Sequence, residues 1–166
     1  MRFIVPAALA AAALAVPLTG CGGSANASAA QSELKKQADM YEIEQLEATW
    51  HKAASTKNVD LAVSLFAPDA YITTGTETVR GLEAIRQNIQ SAHAFQPENH
   101  WVSDTPAYKI RVTVNGDKGT LYFECHYIDV KTGKVMAVIG PDATVQRIGG
   151  KWLITGMQAA TPTLEP

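Results

Sequence analysis

From about Met40, apolar residues recur at three- and four-residue steps: Ile43, Leu46, Trp50 and Ala53 fall on one stripe, with Glu42, Glu44, Glu47 and Lys52 on other faces. This spacing predicts an amphipathic helix of about four turns. Lys57-Asn58 breaks it, and residues 59–66 predict a short second helix that ends before Pro68. Residues 69–74 have strand character, Gly75 turns the chain, and Gly81 precedes a third helix over residues 82–93, buried through Leu82, Ile85 and Ile89.

After Pro97 the period changes from helical to alternating. Tyr108, Ile110, Val112 and Val114 share one face; Lys109, Arg111 and Thr113 share the other. Asn115-Gly116 signals a hairpin, and strands are predicted at residues 120–130, 135–148 and 151–159, separated at Thr132-Gly133 and Gly149-Gly150. Pro106, Gly140 and Pro141 are expected to interrupt strands and allow curvature. Helices first and antiparallel strands afterwards predict an α+β domain, with the helices on one side of a meander.

The first 20 residues have a different pattern. Met1-Arg2 makes a short positive start and residues 3–17 are uncharged and apolar, the layout of an export signal. The run is broken by Pro6 and Pro17 and falls short of the roughly 20 apolar residues a membrane span needs. Leu18-Thr19-Gly20-Cys21 resembles the bacterial lipobox, which implies cleavage before Cys21 and lipidation of its thiol. At ~0.8 kcal/mol per buried methylene, several acyl chains on Cys21 would anchor the protein durably. The expected organisation is a signal peptide over 1–20, a lipidated cysteine and flexible tether over 21–39, one domain over 40–160 and a tail over 161–166. The expected location is the bacterial cell envelope, on the outer membrane or its periplasmic face where the host has two membranes.

Composition narrows the function. The chain has 166 residues, 46% of them hydrophobic, and a formal charge of -2, enough for one core and too little for a second domain. Lysines and arginines are scattered, so nucleic acid is not an expected partner. His51, His93 and His100 form no ligand-spaced pattern with each other or with cysteine, so no metal is expected. No phosphate-binding glycine loop or nucleophile elbow occurs, and no cofactor is expected. Cys125 falls in an apolar strand and reads as a small buried residue.

The series Trp50 and Ala53, Val59-Asp60, Leu65-Phe66-Ala67-Pro68-Asp69-Ala70, Gly81-Leu82-Glu83-Ala84-Ile85 and Gly149-Gly150-Lys151-Trp152-Leu153-Ile154 resembles the SnoaL-like branch of the nuclear transport factor 2-like superfamily. The resemblance implies a cone in which three helices pack on a curved antiparallel sheet and leave a pocket at the open end. It also implies a homodimer formed through the sheet face away from the helices. In isomerase members a carboxylate ends the first strand and a tyrosine stands on the first helix; here those positions hold Thr74 and Trp50, and neither can act as the base. Related sequences carry histidines two and four residues after the tryptophan-x-isoleucine pair, where this chain has Gly156 and Gln158.

The site candidates are of two kinds. Trp50, Thr74, Trp152 and Gln158 are expected to contact a ligand in the cone. Glu124 and His126 share one strand face, and Asp142 on the next strand could orient His126, which makes these three the candidate catalytic residues. Strand parity puts them opposite Leu121, Phe123, Cys125 and Tyr127, so whether they face the interior stays open. The leading expectation is an envelope lipoprotein that binds a small apolar molecule. A cofactor-independent isomerase, hydratase or hydrolase, and a dimeric scaffold, are the alternatives.

Overall fold

The computed structural model describes residues 23–103, 107 and 109–160. The expected signal peptide over 1–20, Cys21, Pro106, Tyr108 and the expected tail over 161–166 lie outside the described residues. The first helix, α1, spans Gly23–Thr56, so it begins well before the expected start at Met40 and takes in most of the stretch read as a tether. Two regimes divide it. Residues 26–38 are exposed on every side, while from Asp39 onward one face is buried through Ile43, Leu46, Trp50, Ala53 and Ala54. The exposed part is rich in alanine, the residue with the highest helix propensity.

Lys57 ends α1 in the left-handed conformation, with φ of 57°. Glycine usually takes this position. Here the lysine ammonium holds two backbone carbonyls, Ala94 O at 2.8 Å and Trp101 O at 2.6 Å, tying the helix end to the chain that returns over it. Helix α2 (Val59–Val63) follows, its first turn closed by Asn58 Oδ1 accepting from the Leu61 N–H. Strands β1 (Phe66–Thr74) and β2 (Glu77–Arg80) form a hairpin, followed by α3 (Leu82–Ser91), buried through Ile85 and Ile89, and a 3-10 turn (His93–Phe95). β1 starts earlier than expected: Phe66 already pairs with β8, and the register shift before Tyr71 accommodates Pro68.

The remaining strands are β3 (Trp101–Ser103), β4 (Ile110–Asn115), β5 (Lys118–Phe123), β6 (Cys125–Asp129), β7 (Lys134–Ile148) and β8 (Lys151–Ala160). The main path is β2-β1-β8-β7-β5-β4, with β6 pairing β7 beyond β5 and β3 pairing β6. The sheet is mixed rather than antiparallel throughout, because β1 runs parallel to β8. A strand formed before the meander can join its last strand only after a long crossover, which the helices and the intervening strands supply.

The expected interruption at Gly140-Pro141 does not break β7. Both residues stay paired with β8, at Ala160 and Ala159. The break falls on the other neighbour, where the expected 120–130 strand divides into β5 and β6 at Glu124. Pro141 has no N–H to donate there, and the Glu124 N–H turns instead to Lys109 O. The sheet therefore bends across this crease, and α1 lies in the resulting concavity. Gly119 is required mainly by the strand beside it: a Cβ there would lie 2.4 Å from Thr113 O on β4, and 3.3 Å from the Ile43 side chain of α1. The helical layer of the expected three helices is one long helix, α1, with short helices beside it.

Candidate functional site

Inward-facing residues of five strands and parts of the helical layer enclose a cavity of about 270 Å³. The sheet side alternates as a pleated strand requires, with Ile72 and Thr74 on β1, Met157 and Ala159 on β8, Ile139 and Pro141 on β7, and Tyr127 on β6. The register places Thr74 beside Ala159 and Ala159 beside Pro141, so these residues form a continuous row. Trp50 closes the cavity from α1, and Asn88 and Ile89 from α3.

Aromatic side chains stand among the aliphatic ones in the walls. Trp50 meets Phe95 edge-on at 5.7 Å between ring centroids, and His93 lies against Trp101 at 4.6 Å. Burial pushes the Tyr127 phenol well up, the neighbouring Cys125 adds to the effect, and the Trp50 indole works the other way. Tyr127 therefore stays a neutral hydroxyl. Thr74, Asn88 and His93 are the remaining polar lining groups, and no lining residue carries a carboxylate, an ammonium or a guanidinium.

Of the expected ligand contacts, the structure brings Trp50 and Thr74 to this cavity and leaves Trp152 and Gln158 out of it. Trp152 is buried elsewhere in the core, with the Arg147 guanidinium over its ring at 4.7 Å. Gln158 alternates with Met157 and Ala159, so it points to the opposite face. There it borders a shallower depression of about 230 Å³ shared with Tyr71, Thr73, Asp142 and Thr144. Gly156 in this depression leaves room for the Tyr71 ring, which a Cβ would approach to 2.5 Å.

The candidate catalytic residues also lie outside the cavity. Glu124 and His126 fall on the outer face with Tyr122, against whose ring the Arg111 guanidinium stacks at 4.0 Å. Glu124 is nevertheless buried, in the crease between β5 and β6. Burial opposes its charge, but the Tyr122 hydroxyl donating at 2.9 Å and Lys109 Nζ at 3.6 Å outweigh that and hold the carboxyl below its ordinary range. His126 Nε2 stands 3.7 Å from Glu124 Oε2. Asp142 does not orient His126: it pairs with Tyr122, whereas His126 pairs with Val138, four residues away along β7. A spacing of four strand residues separates the two by about 13 Å. Parity pointed to the outer face; the burial of Glu124 depends on the crease, which no local pattern reveals.

Sequence reasoning also misplaced Glu47. It is 3% exposed on the inner stripe of α1, with its Oε1 accepting from the Ala107 N–H at 3.1 Å and standing 3.0 Å from Nδ1 of the fully buried His51. The i, i+4 spacing of Glu47 and His51 was a usable signal that charge alone concealed. Among the described residues no group of three or more histidine, cysteine or acidic side chains converges as a metal site would.

Comparisons with known proteins agree with this architecture. No curated protein matches the chain in sequence. An NTF2-like protein with a cystatin-like fold from Novosphingobium aromaticivorans superposes with a TM-score of 0.69 at 19% identity, covering 88% of this chain and 94% of its own. An NTF2-like protein of unknown function from Pseudomonas putida KT2440 gives 0.66 at 16% identity, covering 78% and 91%. Hexachlorocyclohexane dehydrochlorinase LinA-type3 from Novosphingobium barchaimii LL02 gives 0.64 at 16% identity, covering 81% and 93%. At these identities the likeness shows the fold alone. The model of the SnoaL-like domain family matches residues 36–158, nearly all of the folded part, and the chain belongs to that family.

Proposed function

We propose that this SnoaL-like domain binds a small, largely apolar molecule in its cavity and works at a membrane surface to which Cys21 anchors it. The observation that carries the binding reading is the lining: mostly aliphatic and aromatic side chains, with Thr74, Asn88, His93 and Tyr127 as hydrogen-bonding groups. The lining holds no carboxylate, ammonium or guanidinium group to meet a charged ligand. One or two hydrogen-bonding atoms on an apolar body fit them well. Catalysis through Glu124, His126 and Asp142 is the weaker reading, because a molecule in the cavity touches none of them. A dehydrochlorinase shares the fold, but fold does not transfer chemistry.

The test uses N-phenyl-1-naphthylamine, a neutral apolar dye whose emission rises in apolar surroundings. Wild-type protein should bind it saturably at one site. Ile139→Trp, which fills the cavity from the sheet side, should weaken binding by about tenfold or more while leaving the far-UV spectrum unchanged. Equal affinity in the folded variant would remove the cavity as the binding site.

A further inference from the structure

The β6–β7 hairpin carries an apolar, positively charged tip. Val130 is 60% exposed, Val135 53% and Met136 48%, an unusual concentration of bare apolar side chains within seven residues. Lys131 and Lys134 are exposed between them. The single acidic group in the turn is committed to holding it: Asp129 Oδ1 accepts from the N–H groups of Lys131 and Thr132, both at 2.9 Å, and from the Thr132 hydroxyl. Those backbone hydrogen bonds keep the Asp129 carboxyl below its ordinary range, and His100 flanks it. The turn closes through the Gly133 N–H on Asp129 O at 2.8 Å, with Gly133 at φ of 67°. A rigid tip thus presents three apolar side chains with two ammonium groups beside them.

We propose that this tip is a contact site for an anionic lipid bilayer, with Val130, Val135 and Met136 entering the boundary between headgroups and acyl chains while Lys131 and Lys134 meet lipid phosphates. The pairing of apolar side chains with lysines is the chemistry that such an interface selects. The strands behind the tip lead directly to the cavity: Met136 precedes Ala137, which lines it with Ile139 and Tyr127. On the binding reading above, an apolar molecule leaving the acyl layer would meet the cavity walls first. The bilayer contact itself does not depend on that reading.

The experiment uses the full chain carrying Cys21→Ser, so that no acyl anchor contributes, with Met136→Cys labelled by an environment-sensitive fluorophore; Cys125 is buried. A second preparation carries the label at Thr76→Cys in the β1–β2 turn. Phosphatidylglycerol vesicles should shift the Met136 label to the blue and bring it within reach of a quencher in the acyl chains, whereas phosphatidylcholine vesicles should not. Lys131→Glu with Lys134→Glu should raise the lipid concentration needed by about tenfold or more. The proposal is overturned if the label stays in water with both lipids, or if the Thr76 label responds equally. It is also overturned if the shift appears without vesicles and grows with protein concentration, which would identify a second copy as the occupant. No cavity ligand is present, so a failed dye-binding test and a failed vesicle test are separable.

Discussion

Glu47 and His51 show how one helical turn can hide its chemistry. A carboxylate in an amphipathic sequence is ordinarily assigned to water, yet Glu47 lies in the core because the Ala107 N–H and His51 stand where its oxygens end. Glu47→Ala should therefore lower the free energy of unfolding by about 3 kcal/mol, with Glu47→Gln costing less because its amide oxygen can still accept from Ala107. Urea denaturation of the three proteins measures this; equal stabilities would mean that the hydrogen bonds contribute nothing net. Asp39 gives a pH dependence of known sign. Burial raises its pKa, but Lys35 at 2.7 Å and Arg147 more than offset this, so the folded value lies below the ordinary 3.8. A depressed carboxyl contributes stability in full above the unfolded pKa and loses it as pH falls through the folded one. The wild type should lose stability more steeply than Asp39→Asn below pH 3.8. Parallel acid-unfolding curves would rule out this contribution.

At the scale of elements, the helix end at Lys57 decides how the cavity is closed. Its ammonium joins α1 to both the 3-10 turn and β3, through Ala94 O and Trp101 O, and those elements supply Phe95 and Trp101 to the cavity wall. Burial lowers the Lys57 pKa, as expected for a cation drawn from water to meet carbonyls. Lys57→Met should destabilise the domain by about 1 to 3 kcal/mol, the usual cost of losing hydrogen bonds to a charged group. Lys57→Gly provides the complementary reading, since it removes the clamp and also relieves a strained backbone angle worth about 1 kcal/mol or more. If the glycine variant melts at or above the wild-type temperature, the clamp is worth no more than that strain. The crease at Glu124 works at the same scale, dividing the single expected strand into β5 and β6, both antiparallel to β7.

For the whole molecule, α1 sets the separation between the domain and whatever precedes it. From Gly23 to Asp39, where burial begins, 16 residues of helix rise about 24 Å. With Cys21 lipidated, as the lipobox resemblance implies, the link from anchor to domain would be this helix rather than a flexible tether, with no orientation of the domain to the bilayer implied by it. Cys21→Ser in the native host should leave the protein uncleaved or release it from the membrane fraction. Mass spectrometry of the wild type checks the premise, and an unmodified N-terminus downstream of Cys21 would remove it.

The sequence by itself determined the family, the α+β class, the inward stripe of α1 and the alternation of the strands. All of these follow from the period of apolar residues within a few turns or pleats. Trp50 and Thr74, expected to contact a ligand, line the cavity. Only the tertiary structure decided that β1 runs parallel to β8, that Trp152 and Gln158 miss the cavity, and that Glu47 and Glu124 are buried. Each of these depends on contacts between residues far apart in the chain: which strand lies beside which, and where a bend lets a distant backbone N–H or hydroxyl meet a carboxylate. Local periodicity reports the face a side chain takes on its own element, whereas burial and partnership are set by what the rest of the fold brings to that face.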